Sequence, residues 1–107
     1  MKGFLYVNND NIGEVNFSII DESMGSIGGN LIAKNNYKKY QTTIQQDFEN
    51  QGISNLDNFN FRIILEDKFE LKPNGGIGIT DSVGFDEIYV ESAGIDTETM
   101  NKIKNTM

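Results

Sequence analysis

The sequence predicts an α+β fold in which a mainly antiparallel, twisted sheet of about six strands packs in two layers on one long amphipathic helix. Several short segments alternate apolar and polar residues between turn-rich stretches, as strands of a half-buried sheet do. One segment instead has apolar residues at helical spacing. The chain has 107 residues, of which 37% are hydrophobic, enough for one modest core and one domain, 1–107. A partly closed β-barrel with one helix is the alternative.

The chain begins with a predicted hairpin. Its strands are Gly3–Val7 and Glu14–Ile20, and the turn-rich run Asn8–Asn11 joins them. Apolar residues occupy every other position in the second strand, so one face is buried. The glycines of Gly25–Asn30 indicate that the next strand is bulged or sharply bent.

One helix is predicted over Tyr37–Gln51, with Asn35 or Asn36 as N-cap and Gly52 as the C-terminal stop. An apolar stripe along the helix predicts the face that covers the sheet. The stripe consists of Tyr37, Tyr40, Ile44 and Phe48.

Strand patterns return after the helix. The alternation over Phe59–Leu65 and Phe69–Leu71 predicts a second hairpin, and the sheet then continues to the last strand. The remaining predicted elements are a loop at Ser54–Asn58, a turn at Pro73–Gly76, a strand from Ile77, a loop at Asp81–Gly84, a strand at Asp86–Glu91, and a short helix or frayed tail at Asp96–Met107.

Acidic residues are concentrated in two stretches that contain no lysine or arginine. These stretches are Gly3–Ala33 and Pro73–Asn101, and the net charge of the chain is −7. Binding to nucleic acid needs clustered basic residues, so nucleic acid is not an expected partner. A negative surface speeds association with a basic protein, although acidity can also serve solubility alone.

Little in the sequence points to an enzyme or to a cofactor. There is no histidine and no cysteine, so a His-based triad and a thiolate metal site are excluded. The run Gly25–Asn30 has the glycine density of a phosphate cradle but lacks the Gly-Lys-Ser/Thr ending, so we interpret its glycines as bends. The turn Asn8–Gly13 likewise lacks the spacing of a calcium-binding loop.

The last predicted strand presents a candidate binding surface. If Ile88 and Val90 face the core, Glu87, Tyr89 and Glu91 share the outer face. Tyrosine supplies contact area and carboxylates attract basic partners; an ordinary solvent-exposed face is the alternative interpretation. The candidate partner-binding residues are Asp81, Asp86, Glu87, Tyr89 and Glu91, with Asp21 and Glu22 as second candidates.

A compact, acidic α+β chain without catalytic residues resembles the immunity proteins of bacterial polymorphic-toxin and contact-dependent inhibition systems. The resemblance covers the size, charge and pattern of the whole chain and involves no specific motif. It implies a non-enzymatic inhibitor of a basic toxin or nuclease domain.

Two other functions stay open. One is a structural or phage-related assembly module that self-associates, for example as a homodimer. The other is a small-molecule binder that uses the glycine-rich bend. The apolar run Phe4–Val7 is too short for a signal peptide, and no run approaches the ~20 apolar residues of a membrane span. We therefore expect a soluble, cytoplasmic protein.

Overall fold

A computed structural model describes residues 1–55 and 59–106 of the protein. The described elements are seven strands and two α-helices, with a 3-10 turn at Asn35–Tyr37 before the first helix. In chain order they are β1 Lys2–Val7, β2 Asp10–Asn16, β3 Ser18–Asp21, β4 Ser26–Ala33, α1 Lys38–Gln51, β5 Phe61–Leu65, β6 Ile77–Asp81, β7 Ile88–Ser92 and α2 Thr97–Thr106.

All strand pairs between these elements are antiparallel, and the strand order is β5-β1-β2-β4-β7-β6, with β3 also paired to β4. The sheet curls into a half-barrel, and α1 packs against β6. The predicted α+β class is confirmed. The structure fits both predicted architectures, because the twisted antiparallel sheet that packs on the long helix also curls into a partly closed barrel.

The long helix is confirmed over nearly its predicted range. It ends at Gly52, whose φ of 81° is the left-handed conformation that glycine adopts without strain. The predicted N-cap is wrong, because neither Asn35 nor Asn36 caps α1 through its side chain. Asn36 instead donates a hydrogen bond of 2.6 Å from Nδ2 to Oδ1 of Asp10, which ties the helix start to the β1–β2 turn.

The strand predicted over Glu14–Ile20 is divided into β2 and β3 at Phe17. Both halves keep one register with β4, since Val15 lies opposite Leu31 and Ser18 lies opposite Gly28. The backbone N–H of Phe17 donates to the carbonyl of Met1 at 2.7 Å, which continues the β1–β2 pairing one residue beyond the Lys2–Asn16 pair. Alternation alone could not reveal this break, because the apolar period continues through it.

The second predicted hairpin forms only in part. Its first arm is β5, but the segment after the turn makes a single bridge, between Glu70 and Ile64, with backbone hydrogen bonds on either side. Lys68, in the turn between the two arms, has a φ of 72°, and only Glu70 of the second arm forms a bridge, so this arm is not a regular strand. Part of the predicted Ser54–Asn58 loop lies outside the described residues, and Ser54 itself bridges Ile79.

The described core fills the concave side of the sheet. Ile44 of α1 and Ile79 of β6 are fully buried there. The predicted C-terminal helix is present as α2, and its buried residues Met100 and Ile103 join the same core. The stripe positions Tyr37 and Ile44 are buried as expected.

Candidate functional site

The loop between β6 and β7 projects beyond the sheet as a tight turn. The backbone N–H of Phe85 donates to the carbonyl of Ser82 at 3.1 Å, and Gly84 between them has a φ of 90°. This is the positive φ that a type II turn requires at its third residue, and glycine supplies it at no steric cost. The turn leaves Asp86 and Glu87 exposed on its C-terminal side.

The outer face of β7 carries the predicted pair Tyr89 and Glu91. Ile88 and Val90 point into the core, so the alternation predicted from the sequence is confirmed in β7. Glu91 lies opposite Gly28 of β4 and Gly78 of β6, so neither cross-strand neighbour has a side chain of its own beside the carboxylate. Glu91 is half-buried in this position.

Tyr89 packs over one of the glycines that the sequence placed in a bent strand. A Cβ added at Gly28 would lie 2.3 Å from the hydroxyl of Tyr89 and 2.7 Å from Cδ1 of Ile20. The absence of a side chain at residue 28 therefore makes room for the tyrosine on the outer face. Tyr89 is half-buried, with a supported ring, as suits a contact residue.

Asp81 does not belong to the exposed surface, which corrects its predicted place in the loop. It is the last residue of β6, fully buried, on the same strand face as Ile77 and Ile79. Its carboxylate accepts three hydrogen bonds, one from Tyr37 in the 3-10 turn before α1 and two from α1 itself. The donors are Tyr37 Oη at 2.7 Å, Gln45 Nε2 at 3.1 Å and Gln41 Nε2 at 3.3 Å.

The protonation of Tyr37 fits this arrangement. Burial raises the pKa of the Tyr37 phenol well above its usual value near 10, and the hydrogen bond to Asp81 and the negative charge of that carboxylate raise it further. The hydroxyl therefore stays protonated and donates. Burial of a carboxylate is unfavourable unless it is hydrogen-bonded. The hydrogen bonds of Asp81 therefore join the helix to the sheet, and Asp81 is not a contact residue for a partner.

The second candidates, Asp21 and Glu22, also have internal partners. Asp21 accepts hydrogen bonds from Ser23 Oγ at 2.7 Å and from the backbone N–H groups of Ser23 and Met24. These bonds, with the hydroxyl of Ser23 foremost, lower the pKa of Asp21. Glu22 forms an ion pair of 2.8 Å with Lys104 of α2. Both acids stabilise the β3–β4 turn and its contact with α2.

The two base-free stretches meet along the β4–β7 pair, where Glu91 lies opposite Gly28, but the β3–β4 turn is far from Asp86 and Glu87. Asp21 is level with Ser26, which lies next to the Ile27–Ser92 pair, whereas Glu87 is beyond the other end of β7. Five residues of extended chain separate Glu87 from Ser92, about 17 Å. The β3–β4 turn and the β6–β7 loop are thus two separate regions.

Most described acidic residues are engaged inside the protein. Asp10, for example, accepts hydrogen bonds from Tyr40 and Asn36 and pairs with Lys39, and these contacts lower its pKa. Over residues 1–55 and 59–106, only five acids have neither a hydrogen bond nor an ion pair. These five are Glu49, Asp86, Glu87, Glu91 and Glu98.

Three of those five acids lie in β7 or in the two residues directly before it. Asp86 and Glu87 precede β7 and Glu91 is within it, so their charges are not neutralised by described neighbours. We call Asp86, Glu87, Tyr89 and Glu91 the β7 surface. The sequence predicted all four of these residues.

Sequence reasoning missed the apolar side chains beside this surface. Val83 is 61% exposed and Phe85 is 72% exposed, the highest value among the large hydrophobic residues of the described chain. The pattern Val-Gly-Phe, in a loop otherwise made of polar residues, could have indicated their exposure. Apolar side chains on either side of a turn glycine do not belong to a strand, so no strand face buries them.

The glycine-rich bend does not form a deep ligand site. The hollow beside it, of about 230 Å³, is lined in part by Ser26, Gly78 and Glu91. Gly25 is instead packed directly on backbone, since a Cβ there would lie 2.1 Å from the carbonyl oxygen of Ile95. The glycines therefore permit close packing, a role that the sequence analysis, which interpreted them as bends, did not predict.

Comparisons with protein-family models, with curated proteins and with solved structures returned no match to this chain. Within the described ranges, no group of three or more acidic residues is arranged to hold a metal ion. No helix among those residues has the length and apolar character needed to cross a membrane. Function must therefore be inferred from the β7 surface and its surroundings.

Proposed function

We propose that this protein is a non-enzymatic binding protein for a basic protein partner, most concretely an immunity-type inhibitor that covers the basic cleft of a toxin or nuclease domain. The single observation that carries the proposal is the concentration of uncompensated carboxylates on the β7 surface. Elsewhere most described acids have a hydrogen-bond or ion-pair partner, so solubility alone does not explain why the free charges gather here.

The chemistry of the β7 surface suits a protein partner. The carboxylates of Asp86, Glu87 and Glu91 attract lysine and arginine side chains and raise the rate of encounter. Tyr89 offers a half-buried amphipathic ring, a residue type enriched in protein interfaces. A basic active-site cleft, whose charges serve to bind phosphate, is complementary to this surface, and its occupation would exclude substrate.

Self-association through a sheet edge is less well supported. The free edge of β5 is partly covered by the chain around Glu70, since Leu65 donates to the carbonyl of Phe69 and Leu71 donates to that of Ile63. The edge of β6 is partly covered by Ser54, which exchanges two backbone hydrogen bonds with Ile79. Covered edges do not template pairing with a second chain, so among the described strands only the four-residue β3, whose one strand neighbour is β4, has an uncovered edge. Light scattering tests this directly, with a monomer as the expected result.

The experiment for the proposed function uses the protein encoded by the adjacent reading frame as the probe. Its expression in a bacterial host is expected to arrest growth, and co-expression of this protein is expected to restore it. Binding of the purified pair is then measured by biolayer interferometry at several salt concentrations, with a fall in association rate as salt rises. Absence of both rescue and binding refutes the proposal.

A further inference from the structure

We propose that Phe85 is the anchor of the interface, entering an apolar pocket on the basic partner while Asp86 and Glu87 pair with basic residues at the rim of that pocket. This inference rests on the proposed function and adds the element that makes first contact. The segment Ser82–Glu87, here called the β6–β7 loop, is therefore the part of the protein that enters the partner's cleft.

The exposure of Phe85 is the first argument. Its side chain is 72% exposed and that of Val83 is 61% exposed, although the core of the same sheet end buries Ile88. A phenylalanine can bury 150–250 Å² on contact. Aromatic side chains at the centre of an interface supply much of the binding energy, and nearby polar groups supply specificity.

The β6–β7 loop is also held in a defined conformation. The hydrogen bond from Phe85 to Ser82 closes the turn, and Gly84 has the required positive φ. Asp81 fixes the chain directly before the loop through its three hydrogen bonds from Tyr37 and α1, and Ile88, directly after the loop, pairs with Asp81. A pre-organised loop loses little conformational entropy on binding, so the contact of Phe85 is not offset by ordering the chain.

Charge complementarity defines the occupant. Asp86 and Glu87 follow Phe85 immediately, are exposed, and have no ion pair among the described residues. A second acidic or neutral protein gains nothing from them, and another copy of this chain, with a net charge of −7, is repelled. The ligand class is thus a protein with an apolar pocket bordered by lysine or arginine.

The first test is site-specific photo-crosslinking in cells of the organism that encodes the protein. The photoreactive residue p-benzoylphenylalanine is placed at Phe85, which keeps an aromatic ring there. It is also placed at Asn30, opposite Tyr89 on β4, and at Met24, an exposed apolar residue of the β3–β4 turn. Mass spectrometry identifies the protein captured and the residue attacked.

The expected result is an adduct from position 85 with an apolar residue of a basic protein, and no adduct from position 24. Adducts from position 30 without any from position 85 overturn Phe85 as anchor but leave the proposed function standing. No adduct from either position overturns both. An adduct with a second copy of this chain also overturns the anchor, because the occupant would then be acidic.

The second test measures affinity in the purified pair identified by crosslinking. Phe85→Ser is expected to raise Kd by about 30-fold or more, which is the effect of removing a hot-spot side chain. Met24→Ser removes an apolar side chain of similar exposure, 65%, from the other region and is expected to change Kd by less than twofold. Equal effects of the two substitutions overturn the proposal. Circular dichroism confirms that both variants are folded.

Discussion

Removal of the Tyr37 hydroxyl should destabilise the protein substantially, because that hydroxyl donates to a buried carboxylate. Tyr37→Phe deletes one oxygen and leaves the ring in the core, so little cavity forms. The lost hydrogen bond is short, 2.7 Å, and its acceptor Asp81 is 0% exposed, so water cannot replace the donor. Hydrogen bonds to charged groups contribute about 1.5–3 kcal/mol.

The size of the effect on melting follows from the chain length. An unfolding entropy of about 2.1 cal/mol/K per residue gives a shift of about 4.5 °C per kcal/mol for a domain of this size. The Tm of Tyr37→Phe should therefore fall by about 7–13 °C, measured by differential scanning calorimetry and by urea unfolding. Gln41 and Gln45 still donate to Asp81 in this variant, so the protein should remain folded.

Two other tyrosines serve as controls. Tyr6→Phe removes a hydroxyl for which the described structure shows no hydrogen bond, so its Tm should stay within about 2 °C of the wild type. Tyr40→Phe should have an intermediate effect, because Asp10 is half-exposed and keeps Lys39 and Asn36. If Tyr37→Phe is no less stable than Tyr6→Phe, the hydrogen bond between Tyr37 and Asp81 does not stabilise the packing of the helix on the sheet.

Two further predictions concern pH dependence and the backbone. Arg62 first, and then Lys72, lower the pKa of Glu70 to about 2. The ion pairs of Glu70 therefore stabilise the fold above pH 4.5, and this stabilisation is lost as the pH falls toward 2. Glu70→Gln should be less stable than the wild type at pH 7, and urea titrations should show this difference in stability disappear between pH 4.5 and pH 2. Gly25→Ala should lower the free energy of unfolding by more than about 2 kcal/mol, because the new Cβ would meet the carbonyl of Ile95. Gly76→Ala should lower it by about 1 kcal/mol, because Gly76 has a φ of 81° but open space around it. Equal losses in urea unfolding would falsify the role given to close packing at Gly25.

Several elements could be predicted because their patterns are local. The helix followed from the spacing of its apolar stripe and the glycine at 52, and the two faces of β7 followed from strict alternation. Glu87, Tyr89 and Glu91 were found for the same reason, since they alternate with Ile88 and Val90, whereas Asp86 was chosen because it adjoins the loop.

Asp81 was misplaced because two local signals conflicted. The period of Ile77 and Ile79 continues to residue 81 and would have placed it on the buried face, but a carboxylate is rarely buried without partners. Its partners Tyr37 and Gln41 are 40 or more residues away in sequence. Only the tertiary structure shows that α1 brings its donors to this strand.

The sequence analysis did not identify Val83 and Phe85 because, in contrast to the buried carboxylate of Asp81, they are apolar residues that are exposed. Apolar residues are expected inside, so a short Val-Gly-Phe run does not by itself indicate a contact surface. Likewise, the acids at Asp21 and Glu22 could not be separated from those at Glu87 and Glu91 by sequence, because ion pairs such as Glu22–Lys104 join residues 82 positions apart.

The most direct test of the acidic β7 surface is a comparison of two charge-reversed variants binding the basic partner. Glu87→Lys/Glu91→Lys changes the β7 surface, and Glu49→Lys/Glu98→Lys changes two unpaired acids elsewhere. Each exchange adds two charges, so both variants carry −3 instead of −7. The β7 variant should associate at least tenfold more slowly at low salt than the control variant, with the difference shrinking as salt rises. Equal association rates for the two variants would contradict the account, since only total charge would then matter.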